Sequence, residues 1–129
     1  MIVVDASAIL AIYFHGPERD HFIATMRNAD AFQMTPVNFW EAQVRAQGAD
    51  GSQGAAEVDA LMSNLAIEIA PIDETVARLA VDAFARYGKR TPANLNLGDC
   101  FAYALAKQRS APLLYKGGEF ANTDITAAA

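Results

Sequence analysis

Three acidic residues stand in apolar surroundings, where an ionised carboxylate is costly unless another group stabilises it. Asp5 directly follows a run of β-branched residues, Glu41 follows a Phe-Trp pair, and Asp99 precedes a mostly apolar stretch. Burying such a charge costs several kcal/mol unless it is paired, hydrogen-bonded or bound to a metal. These three residues are therefore the first candidates for a site that does chemistry.

Each of the three acids also has a purely structural interpretation. Asp5 is placed to cap the helix predicted after it, and Asn96 with Asp99 three residues later has the pattern of a capping box. Glu41 and Arg45 are four residues apart, which is the spacing of an ion pair on one helix face. Taken singly, each acid leaves both interpretations open. Their joint position favours a shared site, because the elements predicted below bring Asp5 and Asp99 to one edge of a sheet.

The donor types in such a site indicate which metal it would hold. Several carboxylates in one pocket repel one another, so a cation is needed to keep them all ionised. Oxygen ligands alone suit Mg²⁺, or Mn²⁺ in its place, and these ions also coordinate phosphate oxygens. Zinc fits poorly because His15 and His21 lack a helical ligand spacing, and Cys100 has no His partner that would make it a nucleophile. The chain has no glycine-rich phosphate loop, which argues against a nucleotide cofactor.

Short apolar strands that alternate with helices must position these acids. Strands are predicted at 2–4, 31–34, 67–69 and 112–115, helices at 6–14, 17–27, 37–47, 55–65, 73–87 and 96–107, and a loop at 48–54. This order requires parallel strands joined by helical crossovers, which gives a small three-layer α/β fold with helices on both faces of a short sheet. Ligands of such folds bind at the carboxyl ends of the strands.

Length and charge limit the remaining possibilities. A chain of 129 residues is expected to form one domain over 1–129. Its 10 basic and 15 acidic residues give a net charge of −5, which argues against a wide basic face for duplex nucleic acid. A few local Lys and Arg residues can still hold RNA, and part of the negative charge would belong to the metal site. One cysteine and no apolar run of ~20 residues predict a cytoplasmic protein without a membrane span.

Four segments of the chain carry a resemblance to a known family. They are Met1–Ala8, Pro36–Ala42, Leu95–Lys107 and Ala111–Phe120. The first three are similar to the core motifs of the PIN domain, in particular those of VapC-type toxin ribonucleases of type II toxin–antitoxin systems, and the fourth continues the likeness. The resemblance spans nearly the whole chain and implies a PIN-like fold.

The resemblance implies a Mg²⁺-dependent endoribonuclease that hydrolyses RNA phosphodiester bonds with a metal-activated water. Asp5 and Asp99 would bind the metal directly, whereas Glu41 and Glu119 would bind it directly or through water. The fourth acid of the family is usually an Asp, so Glu119 departs from the pattern. Asp124 is the alternative candidate for that position.

Other polar residues are implied around these acids. Ser7, Asn38 and Asn96 would orient the carboxylates or a metal-bound water by hydrogen bonds. The candidate contacts for RNA phosphates are Arg86, Lys89, Arg90 and Lys116. For the basic residues at a helix end, complementation of the helix dipole is an equally good explanation.

The resemblance also implies partners. RNA would be the substrate, and a cognate VapB-like antitoxin would insert a basic side chain into the acidic site, which attracts such a group electrostatically. A homodimer is expected as well, without an assigned interface.

The main alternative is a catalytically impaired PIN-fold module that binds RNA or protein, and the departure at Glu119 is its principal support. Two other small α/β folds with acidic sites fit less well. A receiver domain needs paired acids after the first strand, where Asp5 stands alone. A haloacid-dehalogenase-like phosphatase needs a second Asp where the chain has Ser7.

Overall fold

The computed structural model describes residues Met1–Ala129, and its centre is a four-stranded parallel sheet. The strands are β1 (Ile2–Val4), β2 (Phe32–Met34), β3 (Ile67–Ile69) and β4 (Leu113–Leu114). They lie in the order β3-β2-β1-β4, and every neighbouring pair is parallel. Because β1 lies between β2 and β4, the residue that follows it emerges in the middle of the sheet's carboxyl edge.

Five helices connect and cover the strands. They are α1 (Ala6–Tyr13), α2 (Arg19–Arg27), α3 (Pro36–Asn64), α4 (Glu74–Tyr87) and α5 (Leu97–Arg109), with a short 3₁₀ turn at Phe120–Asn122. No helix combines the length and the hydropathy needed to cross a membrane.

The two faces of the sheet carry separate apolar clusters because side chains alternate along each strand. In β1, Ile2 and Val4 pack with α1, α2 and α3, whereas Val3 packs with α4 and α5. Leu114 and Leu113 of β4 divide between the faces in the same way. This arrangement confirms the predicted three-layer α/β fold with helices on both faces of a short parallel sheet.

The loop predicted at 48–54 is wrong, because the chain is helical through most of it. α3 is broken only at Gly51, whose φ of 66° and ψ of −156° lie outside the helical region and are accessible mainly to glycine. The two arms of α3 fold against each other, and the side-chain amide of Gln43 donates to Asp59 of the second arm over 2.7 Å. One residue of unusual geometry therefore reverses the chain where the sequence, with three glycines, predicts a longer loop.

The last residues of the chain form hydrogen bonds with strand β4. Leu113 donates its N–H to the carbonyl of Thr126 and accepts from the N–H of Ala128, each over 2.9 Å. The hydroxyl of Tyr103 donates to Asp124 over 2.5 Å from the neighbouring helix. These contacts place Asp124 beside α5 and away from the carboxyl end of β1.

Candidate active site

A pocket of about 380 Å³ opens where β1 and β4 end and where α1, α3 and α5 begin. All four predicted acids line it, namely Asp5, Glu41, Asp99 and Glu119. The predicted orienting residues Ser7 and Asn96 and the predicted phosphate contact Lys116 line it as well. The fold thus brings together side chains that are far apart in the sequence.

Asp5 lies at the floor of the pocket and is 5% exposed. It caps α1: its Oδ2 accepts from the N–H of Ser7 over 3.0 Å and from the Ser7 hydroxyl over 2.6 Å. Burial raises the pKa of Asp5 from 3.8 to about 6, against the lowering effect of the Ser7 hydrogen bonds, and repulsion from Glu41 raises it further. The Ser7 hydroxyl also accepts from the N–H of Lys116 over 2.9 Å, which ties the loop after β4 to this site.

Asn38 joins the carboxylates of two different elements. It is fully buried, and its amide nitrogen lies 2.9 Å from Oε1 of Glu41, 3.0 Å from the carbonyl of Gly98 and 3.4 Å from Oδ1 of Asp5. Thr35 caps α3 and donates its hydroxyl to the Asn38 side-chain oxygen over 2.5 Å, which fixes the orientation of the amide. Asn38 therefore contacts two of the predicted site carboxylates at once, and its orienting role stays a prediction.

Glu41 extends from the first turns of α3 into the pocket and is half buried. Burial raises the pKa of its carboxyl, the hydrogen bond from Asn38 lowers it, and the nearby charge of Asp99 raises it. The sequence allowed an ion pair between Glu41 and Arg45, but no such pair forms within 4.0 Å. The charge of Arg45 still lowers the pKa of Glu41, so both the pocket and residues of its own helix set the environment of Glu41.

Asp99 caps α5 and also lines the pocket. It forms the capping box of α5: its N–H donates to Oδ1 of Asn96 over 2.8 Å, and its Oδ2 accepts from the N–H of Asn96 over 3.0 Å. Only one carboxylate oxygen is used in this way. Burial raises the pKa of Asp99 to about 6, and the charges of Asp5 and Glu119 add to the effect.

The donor set of the pocket suits a hard divalent cation. It consists of carboxylate oxygens without His or Cys, and repulsion among the four acids contributes to the raised pKa values of Asp5, Glu41 and Asp99. No three His, Cys, Asp or Glu side chains are gathered around one point in the structure. The pocket therefore fits a metal through its ligand types, and its side chains are not yet arranged as a complete coordination shell.

Comparison with known proteins identifies the family. The sequence model of the PIN domain matches residues 2–125. The chain belongs to the PIN domain family.

Curated relatives of this PIN domain match it over nearly their whole length. It is 34% identical to Ribonuclease VapC of Mycolicibacterium smegmatis over 127 residues, which are 98% of each chain. It is 33% identical to Ribonuclease VapC30 of Mycobacterium tuberculosis over 129 residues, 99% of this chain and 98% of the relative. These matches place the chain among the VapC relatives of the PIN family.

Solved structures share the fold at low sequence identity. Mycobacterium tuberculosis VapC20, described as a sarcin–ricin loop cleaving toxin, superposes with a TM-score of 0.79 at 12% identity, covering 98% of this chain and 97% of that one. A toxin–antitoxin complex from Klebsiella pneumoniae superposes with a TM-score of 0.71 at 18% identity, covering 96% and 93%. These likenesses confirm the PIN-like fold.

Some of the predicted residues do not join the pocket of this PIN domain. Asp124, the alternative fourth acid, lies outside it and accepts hydrogen bonds or ion pairs from Tyr103, Lys107 and Arg86. These contacts hold the pKa of Asp124 near 2, because the hydrogen bonds from Tyr103 and Lys107 favour its charged form. Of the two candidates for the fourth acid, Glu119 is the one that lines the pocket.

Of the predicted phosphate contacts, one lies in the pocket and the others lie outside it. Lys116 lines the pocket, where its Nζ lies 3.7 Å from Oε2 of Glu18. Arg86 instead pairs with Asp82 and Asp124 and lies over the ring of Tyr87.

Lys89 and Arg90 are exposed in the loop before α5 and do not line the pocket. Two residues that do line it, Trp40 and Arg45, were missed by sequence reasoning as site residues. Their closeness to Glu41 on the same predicted helix could have pointed to them in part.

Proposed function

We propose that this chain is a metal-dependent endoribonuclease and the toxin of a type II toxin–antitoxin pair. The observation that carries the proposal is the gathering of Asp5, Glu41, Asp99 and Glu119 in one pocket of a PIN fold. The names of the VapC relatives support RNA as the class of substrate. The oxygen-only donor set supports Mg²⁺, or Mn²⁺, as the cofactor.

In this proposal the chain's own residues divide the work of hydrolysis. Asp5 and Asp99 would hold the metal, and Glu119 would complete its surroundings directly or through water. When bound, Mg²⁺ supplies Lewis-acid chemistry, which lowers the pKa of water and neutralises charge on a phosphate. Glu41 would accept the proton of the attacking water at its carboxylate, since a carboxyl of raised pKa is a stronger base near neutral pH.

Asn38 and Lys116 would position the reacting groups. Asn38 fixes Glu41 and Asp5 relative to each other through one amide, so that the base and a metal ligand keep a constant separation. Lys116 would contact an RNA phosphate at the rim. Because water rather than the ribose 2′-hydroxyl attacks, the products would carry 5′-phosphate and 3′-hydroxyl ends.

The acidic pocket is also the proposed binding site of an antitoxin. The structural neighbour from Klebsiella pneumoniae, described as a toxin–antitoxin complex, supports an antitoxin as the natural inhibitor. An acidic pocket of raised pKa values would be stabilised by a basic side chain from such a partner, which would also block the access of RNA. A homodimer and a cytoplasmic location stay predictions.

RNA cleavage by the purified chain tests the proposed function. Single-stranded RNA is expected to be cut with Mg²⁺ or Mn²⁺ present, and cutting is expected to stop with a chelator or with added antitoxin. The catalytically impaired module that Glu119 allows would bind RNA with no metal-dependent cleavage at any enzyme concentration. That outcome would overturn the proposed enzyme.

Gly98→Ala is expected to lower RNA cleavage about 10- to 100-fold, because small displacements of a catalytic group cost rates of that order. A Cβ at Gly98 would overlap the carboxylate of Glu41 and push it away from the Asn38 amide. The measurement is the steady-state rate on an RNA oligonucleotide, with a thermal melt to verify the fold.

The matched control is Gly48→Ala, where an added Cβ meets nothing within 4 Å. This control should cleave at the wild-type rate. If Gly98→Ala also cleaves at the wild-type rate, the position of Glu41 does not matter for the reaction.

A further inference from the structure

The outer wall of the pocket is apolar, in contrast to its acidic floor. Trp40 and Val44 form this wall; they lie four residues apart on α3 and are 64% and 41% exposed. Trp40 is the only tryptophan of the chain. A side chain of this size gains more from burial than most others, so its exposure beside a functional pocket needs an explanation.

A free cation lies next to this wall. Arg45 follows Val44 and lines the same pocket, and its guanidinium forms no ion pair and no hydrogen bond in the structure. Arg45 and Lys116 also line a neighbouring cleft of about 330 Å³, which shares Ser7 and Glu119 with the pocket. The two basic residues therefore border a passage that continues from the acidic pocket along the surface.

We propose that Trp40 stacks a base of single-stranded RNA next to the bond that is cut, while Arg45 contacts a phosphate of the same strand. This inference rests on the proposed ribonuclease function and assigns a base-binding subsite to it. Every nucleobase has a flat face that stacks on an aromatic ring, and aromatic side chains beside basic ones are typical of single-strand binding. The subsite would hold the strand without reading its sequence strongly.

Nucleic acid suits this wall better than a protein partner does. Only two of the five apolar residues that line the pocket, Trp40 and Val44, are exposed, whereas stable protein interfaces bury about 800 Å² on each partner. A free guanidinium beside the wall attracts a phosphate, and the acidic floor with its metal would take the next phosphate of the same strand. The pocket volume of about 380 Å³ falls within the range of ~300–1,000 Å³ that small-ligand sites occupy.

Fluorescence of Trp40 gives a direct test of stacking, because no other tryptophan contributes to the signal. The titration uses Asp5→Asn, so that RNA binds without being cut, and a labelled short RNA measures binding independently. Single-stranded RNA is expected to quench the fluorescence saturably at the concentrations where it binds. Inorganic polyphosphate, which has the charge but no bases, is expected to leave it unquenched. RNA that binds without quenching would overturn the inference.

Steady-state kinetics give the second readout, because loss of a base contact should change KM and leave kcat nearly unchanged. Trp40→Leu is expected to raise KM for RNA about 10-fold with little change in kcat, since stacking one base on an aromatic ring contributes an affinity of that order. Trp40→Phe keeps an aromatic face and should retain most of the affinity. Phe84→Leu removes an aromatic ring that is 50% exposed on α4, outside the pocket, and is the matched control with unchanged KM.

The two readouts separate the inference from the function on which it rests. If RNA quenches Trp40 but the wild type cuts no RNA, the proposed function fails, while the stacking of a base on Trp40 stands. If the wild type cuts RNA while Trp40→Leu keeps its KM, the function stands and the inference fails. A Trp40→Leu variant that loses only antitoxin affinity would also overturn the inference, because the wall would then belong to a protein partner.

Discussion

Asp5→Asn is expected to lower RNA cleavage by at least about 1,000-fold, equivalent to roughly 4 kcal/mol of transition-state stabilisation. Asp5 is the most buried acid of the pocket and is proposed as a direct metal ligand. Its amide replacement carries no charge and binds Mg²⁺ poorly, yet it keeps an oxygen that can accept the hydrogen bonds from Ser7. The measurement is the cleavage rate on single-stranded RNA, together with the loss of toxicity on expression.

The fold should survive this change. The pKa of about 6 means that the charged form of Asp5 is disfavoured in the folded chain, so at neutral pH without metal the gain from removing the charge offsets the loss of the long, 3.4 Å hydrogen bond from Asn38 to Oδ1. The melting temperature of metal-free Asp5→Asn is therefore expected to equal or exceed that of the wild type. Asp124→Asn is the matched control, because it changes the same residue type outside the pocket and should keep RNA cleavage. Cleavage by Asp5→Asn at near the wild-type rate would contradict the proposed role.

Metal-free protein is expected to become more stable as the pH falls from neutral toward about 5. The pKa values of Asp5 and Asp99 are raised from 3.8 to about 6, so between these values the folded chain binds more protons than the unfolded chain. The stabilisation is fully present below about pH 4 and is lost as the pH rises through about 6. For the buried Asp5 it amounts to roughly 3 kcal/mol, and for the more exposed Asp99 it is smaller. The opposite contribution of Asp124, whose pKa is about 2, sets in only at lower pH.

Mg²⁺ is expected to counteract the loss of stability at neutral pH. A cation held by the carboxylates removes their repulsion at neutral pH, whereas protons compete with it near pH 5. Thermal melts with a chelator and with Mg²⁺, at about pH 5 and about pH 7.5, should show a larger shift of the melting temperature at the higher pH. Asp5→Asn should lose most of this shift. An equal shift at both pH values, or the same shift in the variant, would show that Mg²⁺ binds elsewhere.

The position of the acids was predictable because their surroundings in the sequence are informative. Asp5 follows an apolar strand, and the chemistry of a buried carboxylate already calls for a partner or a metal. Asp99 was predicted either as part of a capping box or as a site residue, and the structure shows the capping box at the rim of the pocket. The two interpretations are compatible, because a cap needs only one carboxylate oxygen. A capping pattern is therefore weak evidence against a catalytic role.

Residues whose roles depend on the path of a helix were harder to predict. The reversal at Gly51 joins two predicted helices into the hairpin of α3, and no local pattern distinguishes one such residue from a loop. Trp40 and Arg45 lie on either side of Glu41 in the sequence, but only the packing of α3 shows that both face the pocket. Asp124 follows the last motif closely, yet Tyr103 and Lys107 hold it outside the pocket. These contacts join residues through tertiary packing, so no characteristic residue spacing in the sequence reveals them.

The chemical ends of the RNA products test the central claim most directly. The wild-type chain with Mg²⁺ should release fragments with 5′-phosphate and 3′-hydroxyl ends, and neither the chelated protein nor Asp5→Asn should release them. Cleavage that persists in the chelator, or products that carry 2′,3′-cyclic phosphates, would contradict hydrolysis by a metal-activated water in this pocket.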